Sequence, residues 1–303
     1  MEEIISTVLQ PVKEVIQTFT YILLFGFIFV CLEWFIPSSK RLFKLLFIMI
    51  ICFYCLEPAF RTVGMIQALT NQLVHLFLGV YPLLTAGIAI SGGALLVTSW
   101  NPAVMLFATF TSILAERVLI PALLAAFIFD LITRIHPATS FSKMSDLIRM
   151  TLVGSTSIIL VLYSFFMTVN GVITWTVSGA VNETVKRLIQ NNIPFVGSLL
   201  TESISTMKNY SSSASVVTGN AVLFSVLVLV SIPTIQTILI AFLYRLLGAI
   251  LEPFIDGQIS GLLDDIGKTL FVLSIISVLI AFAFFFTIIL TMLFAKLLIS
   301  VKG

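Results

Sequence analysis

A chain of 303 residues in which 59% of side chains are hydrophobic, only 10% are charged and the mean hydropathy is +1.15 has too little charge to coat a water-soluble globule, where about a quarter of residues are charged. Sixteen Lys and Arg stand against 14 Asp and Glu, and a net +2 does not make a nucleic-acid footprint. The composition predicts an integral membrane protein in contact with the lipid bilayer.

Runs without Asp, Glu, Lys or Arg turn that class into an architecture. They cover 54 residues between Arg61 and Glu116, 33 between Arg149 and Glu183, 36 between Lys208 and Arg245 and 27 between Lys268 and Lys296, and each crossing needs roughly 20 apolar residues. The pattern predicts an all-α, polytopic helical membrane protein of about seven to nine membrane segments, some broken and some amphipathic. Residues 1–303 read as a single membrane domain, with an N-terminal helical hairpin over 1–66.

The chain opens with Glu2 and Glu3 rather than a basic stretch, so no cleaved targeting segment is expected. Helix one is predicted at about Ile16 to Phe35 and helix two at about Leu42 to Leu56. Lys40, Arg41 and Lys44 lie in the connection between them, which the positive-inside tendency places in the cytoplasm. The N-terminus is then outside. Arg134, Lys143 and Arg149 mark a further cytoplasmic loop, the acidic stretch Glu252 to Lys268 suits the outer side, and Lys296 and Lys302 suit a cytoplasmic C-terminus.

Further along, Gln67, Asn71 and His75 recur every four residues in an apolar stretch and so share one helix face. Hydrocarbon cannot satisfy their hydrogen bonds. That face is expected to line an aqueous path or an oligomer contact, or to rest at the membrane surface. From Tyr81 to Pro102 the small residues Gly87, Ala89, Ser91, Gly92 and Gly93 form small-xxx-small pairs that let helices approach. Gly92 and Gly93 could instead interrupt the helix. Pro121 and Pro233 are expected to kink or divide their spans.

The segment Ile173 to Gln190 carries Val177, Val181, Val185 and Leu188 on one stripe and polar residues on the other, which predicts an interfacial amphipathic helix with a Glu183–Arg187 pair. The polar run TESISTMKNYSSSAS from Thr201 to Ser215 reads as a loop. In Leu251 to Lys268, Ile255, Ile259, Leu262 and Ile266 form a stripe opposite the acids. Gly257, Gly261 and Gly267 weaken that helix in isolation, so packing has to hold it, and they permit close approach of a neighbour.

A search for chemistry returns negatives. Two His in unrelated settings build no metal site. Cys52 and Cys55 form a CxxC without a nearby cation to stabilise a thiolate and read, like Cys31, as ordinary buried thiols. No phosphate-binding loop occurs. Ser203 and Lys208 belong to the polar run rather than to a hydrolase dyad. Glu33, Glu57, Glu116 and Asp130 fall at predicted span ends, where solvation or local pairing is the default over proton coupling. No catalytic residue, metal or cofactor is expected, and the chain reads as non-enzymatic.

Ordered motifs carry more than any one residue. The series PLLTAGIAISGG from Pro82, RVLIP from Arg117, NNIPFVGSLLTE from Asn191, GNAV from Gly219, Ile232–Pro233, LEPFID from Leu251 and DIGKTL from Asp265 resembles the membrane region of the stage III sporulation protein AE family, from about Gln67 to the C-terminus. The resemblance implies a multi-pass component of the complex that joins mother cell and forespore in endospore formers. It would sit in the mother-cell membrane around the forespore and act as a channel or assembly-platform subunit. Implied partners are the other stage III sporulation AA to AH proteins and the forespore-side channel protein, in a homo-oligomer or larger membrane complex.

Family members usually carry an exported N-terminal stretch, whereas this chain begins almost directly with membrane helices, as a shortened member or paralogue would. The positions singled out as pore-lining or assembly residues are Gln67, Asn71 and His75; Ser91, Gly92 and Gly93 at a break or close contact; Pro194 and Gly197 at the entry to the polar run; and Pro253 and Asp256 before the acidic helix. The alternative reading is a secondary transporter for a small solute, although no internal repeat supports it.

Overall fold

A computed structural model of the chain describes residues 2–35, 40–89, 94–135, 141–192, 196–253, 255 and 257–300. They form seven α-helices: α1 (Glu2–Phe35), α2 (Lys40–Ile88), α3 (Ala94–Ile113), α4 (Ile120–Ile135), α5 (Ser142–Asn192), α6 (Val196–Leu251) and α7 (Gly257–Ser300). A π-helical stretch, Leu114–Leu119, joins α3 to α4. No strand occurs among the described residues. Six helical stretches are long and apolar enough to cross a membrane: Lys13–Leu32, Leu46–Ala86, Val97–Ile135, Ser142–Ile173, Gly219–Leu251 and Gly257–Leu293. That makes six among the described residues, against seven to nine expected.

Helix two is longer than its sequence signal. Charges at Glu57 and Arg61 suggest an end near Leu56, yet α2 runs on to Ile88. No glycine lies between Lys40 and Arg61, and the charged pair is spaced i,i+4 and bonded along the helix, which supports rather than breaks it. The polar run 201–215, expected as a loop, is helical within α6. It contains neither Gly nor Pro, and Ser and Thr lower helix propensity without ending a helix.

Prolines divide the chain less than expected. Pro233 lies inside an unbroken α6. Before Pro121 the helix widens into the π-helical Leu114–Leu119, a form that relieves the clash of the proline ring with the preceding turn.

The chain folds as two compact units. The first comprises Met1–Leu69, Leu114–Thr156 and Val230–Val278, and the second Thr70–Ile113, Ser157–Leu229 and Leu279–Gly303. In the first unit, Val15, Phe19, Ile22 and Phe29 present one stripe of α1 to Phe47, Ile48, Ile51 and Cys55 of α2 and to the buried faces of α6 and α7. The spacing is that of an amphipathic helix. The Phe19 and Tyr244 rings meet edge to face at 5.2 Å, and the Tyr244 hydroxyl donates to the Cys55 carbonyl at 2.9 Å. Cys31 and Cys55 are free thiols; Cys55 is buried as the sequence predicts, whereas Cys31 is only half-buried.

The first turns of α7 follow the expected stripe, since Ile255, Ile259, Leu262 and Ile266 are all buried. Close contact with α6 holds them. A Cβ at Gly248 would come within 2.8 Å of the Ser260 carbonyl oxygen, and one at Gly267 within 2.8 Å of the Ala241 carbonyl oxygen. The two contacts lie seven residues apart on each helix, in opposite order, so α6 and α7 are an antiparallel pair whose backbones touch through glycine.

The second unit has an aromatic centre. Phe107 stacks on Tyr163 at 3.8 Å, Phe77 lies 5.0 Å from Phe284, and the Tyr163 and Thr287 hydroxyls bond at 2.8 Å. Trp100, Val104 and Ala108 bury the facing stripe of α3.

Glycine contacts give the first prediction. Gly267→Ala and Gly248→Ala each force a Cβ against a carbonyl of the partner helix and should destabilise the protein by about 1–3 kcal/mol. Gly79→Ala, where a Cβ meets open space, should be neutral or stabilising by up to about 1 kcal/mol. Thermal unfolding of the purified protein in detergent distinguishes the two classes.

Candidate functional site

The densest polar chemistry in the first unit sits where α4, α5 and α7 meet. α4 is apolar except near its end, where Asp130 and Arg134 are one turn apart. That spacing invites a pair within the helix, but each side chain reaches another helix instead. Arg149 of α5 bonds Asp130 through Nη2, and both side chains are almost sealed, at 5% and 2% exposure. The Ser145 hydroxyl donates to the other Asp130 oxygen.

Arg149 is satisfied on every side. It donates to Thr269 Oγ1 of α7 from Nη2 at 2.8 Å and from Nε at 3.2 Å, and to Asp146 Oδ1 at 3.1 Å. The Thr269 hydroxyl in turn donates to the Asp265 carbonyl at 2.9 Å. A guanidinium has five N–H donors in a planar fork, and here they tie α5 to α4 and to α7 at once.

Asp265 extends the network. Arg134 donates Nε at 2.9 Å and Nη2 at 2.7 Å to the same Asp265 oxygen. Gly261, one turn before Asp265, makes this possible, because the Arg134 guanidinium lies where a Cβ at position 261 would be. Lys268 bridges Asp265 at 3.4 Å and Asp264 at 2.9 Å, and Asp264 also takes Arg245 of α6 at 2.9 Å. Four acids (Asp130, Asp146, Asp264 and Asp265) balance four bases (Arg134, Arg149, Arg245 and Lys268).

The arrangement holds α4, α5, α6 and α7 together. The adjacent void, bordered by Leu56, Phe60, Leu123, Leu124 and Thr269, has a volume of about 40 Å³ and an almost wholly apolar wall. No group of three or more His, Cys, Asp or Glu among the described residues could hold a metal ion.

This geometry corrects one part of the expected topology. Arg134 was assigned to the cytoplasm and the segment Glu252 to Lys268 to the outer side, yet Arg134 is hydrogen-bonded to Asp265. α4 climbs as α7 descends, with Leu123 beside Leu270 and Arg134 beside Gly261. The α4–α5 and α6–α7 connections therefore emerge on the same side.

The residues singled out from sequence do not form this site. Gln67 and Asn71 are half-buried on α2 and His75 is exposed; Gln67 belongs to the first unit, and Asn71 and His75 to the second. Ser91, Gly92, Gly93, Pro194 and Asp256 lie outside the described residues, as do the side chains of Gly197 and of the amphipathic stripe from 174 to 190. α2 ends at Ile88 and α3 begins at Ala94, on either side of the glycine pair. Pro253 is exposed in the turn after α6. The sequence did offer one signal for the network: Asp130 and Arg149 are charges in otherwise apolar helices, and such charges usually face a partner.

Long apolar helices tied by a charge-balanced ion network around a buried Arg149–Asp130 pair define a polytopic helical membrane protein. The family model described as stage III sporulation protein AE matches residues 1–295, and the chain belongs to that family. The match takes in the first 66 residues as well, which the motif series does not reach. Stage III sporulation protein AE of Bacillus subtilis (strain 168) is 25% identical over 224 residues, which make up 73% of this chain and 54% of that protein. The chain thus spans about half the length of the curated relative it matches. No solved structure matches it.

Two measurements test the site. Arg149→Met or Asp130→Leu alone leaves an uncompensated buried charge and should cost about 3–5 kcal/mol, while the double variant should recover most of that loss; unfolding of all three closes the cycle. Cysteines placed at Phe141 and Glu252 should label from the same side of the membrane with an impermeant thiol reagent.

Proposed function

We propose that this protein is a non-enzymatic subunit of a sporulation-type intercellular channel or secretion complex, acting as a channel or assembly platform in the mother-cell membrane around the forespore. Its partners are the other stage III sporulation AA to AH proteins and the forespore-side channel protein. Membership of the stage III sporulation protein AE family supports the sporulation role.

The observation that carries the platform reading is the charge network of α4, α5, α6 and α7, balanced and bonded internally. Ionisable side chains within apolar spans generally serve either to fix helices or to move charge. Among the described residues each buried charge has a partner, as a rigid frame requires. With one crossing for each of the six spans, both termini return to one side, so an outside N-terminus with a cytoplasmic C-terminus needs an odd number of crossings.

A buried carboxylate within an apolar span, Asp130, also favours a second reading, a proton-coupled transporter for a small solute. The two make opposite demands. Deleting the gene in the host should collapse the forespore and abolish late forespore transcription, and a wild-type copy should restore both. Normal spores would sink the conduit reading, and gradient-driven solute uptake by the protein alone in proteoliposomes would favour the transporter.

A further inference from the structure

Charges exposed on an apolar span have to be covered, and the first unit has a group of them on α1 and α2. Arg61 donates Nη1 to Glu14 at 2.6 Å and Nη2 to Glu57 at 3.1 Å, and all three side chains are more than half exposed. Glu57 and Arg61 lie inside the unbroken apolar stretch Leu46–Ala86 of α2. Hydrocarbon cannot solvate them, and ionisable side chains at such positions face protein or water.

Small residues continue the same face. Glu57, Arg61, Gly64 and Ala68 recur at intervals of four, three and four and are all exposed, so they form one stripe along α2. A Cβ at Gly64 would meet no atom within 4 Å. Glycine brings no advantage to a face turned to lipid, whereas small residues let a second helix backbone come close. The charges and the small step share one stripe, so a single helix laid along it covers both.

The signs of the charges select that helix. Lys13 precedes Glu14 and is exposed, but neighbours in sequence do not face each other on a helix, and Glu14 and Glu57 bond Arg61 instead. Lys13, Glu14, Glu57 and Arg61 therefore make a face of two acids and two bases. Such a face is complementary to itself. Copies inserted in the same orientation and related by a two-fold axis normal to the membrane bring each residue opposite residues of its own depth, in an isologous contact.

We propose that this face is where two copies of the chain associate. Gly64 and Ala68 of the two α2 helices meet near the axis, and Lys13 of each copy donates to Glu57 of the other. Arg61 takes only one oxygen of the Glu57 carboxylate, and the second is free to accept. The cavity of about 320 Å³ lined by Glu14, Thr18, Tyr21, Tyr54, Glu57 and Arg61 receives the incoming lysine. The contact does not depend on the channel or platform reading.

Native mass spectrometry and light scattering of the purified full chain in detergent test this. The wild type should be a dimer whose Kd rises at least tenfold in Gly64→Leu, because the added side chain enters open space within one copy and blocks the approach of the other. Gly154→Leu, at an equally open glycine on α5, should leave the dimer unchanged. Lys13→Glu and Glu57→Lys should each weaken the dimer, and the chain carrying both should recover it, which a mere loss of folding would not allow. A monomer at every concentration, a dimer indifferent to Gly64→Leu, or no recovery in the exchanged chain would overturn the proposal. If a charge variant melts early, the comparison of Gly64→Leu with Gly154→Leu decides alone.

Discussion

Arg149 and Asp130 are nearly sealed from solvent, and neither could be buried without the other. An isolated charge in a low-dielectric interior costs several kcal/mol even after relaxation, and only a well-bonded counter-charge offsets it. Once that pair forms, α4 and α5 are fixed at one depth. The two Thr269 bonds carry the constraint to α7, and the Arg134 to Asp265 bonds repeat it one turn along α4. Lys268 and Asp264 then reach Arg245 on α6.

Two kinds of contact therefore cooperate in the first unit. Glycines set distance: at Gly248 and Gly267 the α6 and α7 backbones touch, and Gly261 opens the lane through which Arg134 reaches Asp265. Charges set register, because the ion pairs are satisfied at one alignment of the helices and broken at others. Packing of apolar side chains alone discriminates weakly between helix registers in lipid, where tails are as apolar as leucine. A frame specified in this way holds its shape, as the proposed platform role requires.

The charged groups of the first unit divide by environment. Arg149 and Asp130 are nearly sealed, whereas Glu14, Arg61 and Glu57 are each more than half exposed.

Composition and spacing alone determined the all-helical membrane class, the buried stripe at the start of α7 and, through short motifs in shared order, the family. These are legible because helix periodicity and hydropathy act on near neighbours in the chain. Helix ends were less legible: the chain crosses Glu57, Pro58 and Arg61 and the serine-rich run 201–215 without a break, because neither polarity nor a single proline is enough to end a helix held by its neighbours. The tertiary structure alone decided the partners of charges. Asp130 and Arg134 stand at pairing distance along α4, yet their counter-ions come from positions 149 and 265. Desolvation is relieved by whichever opposite charge packing brings close, and that choice depends on how the helices cross, which no local pattern encodes.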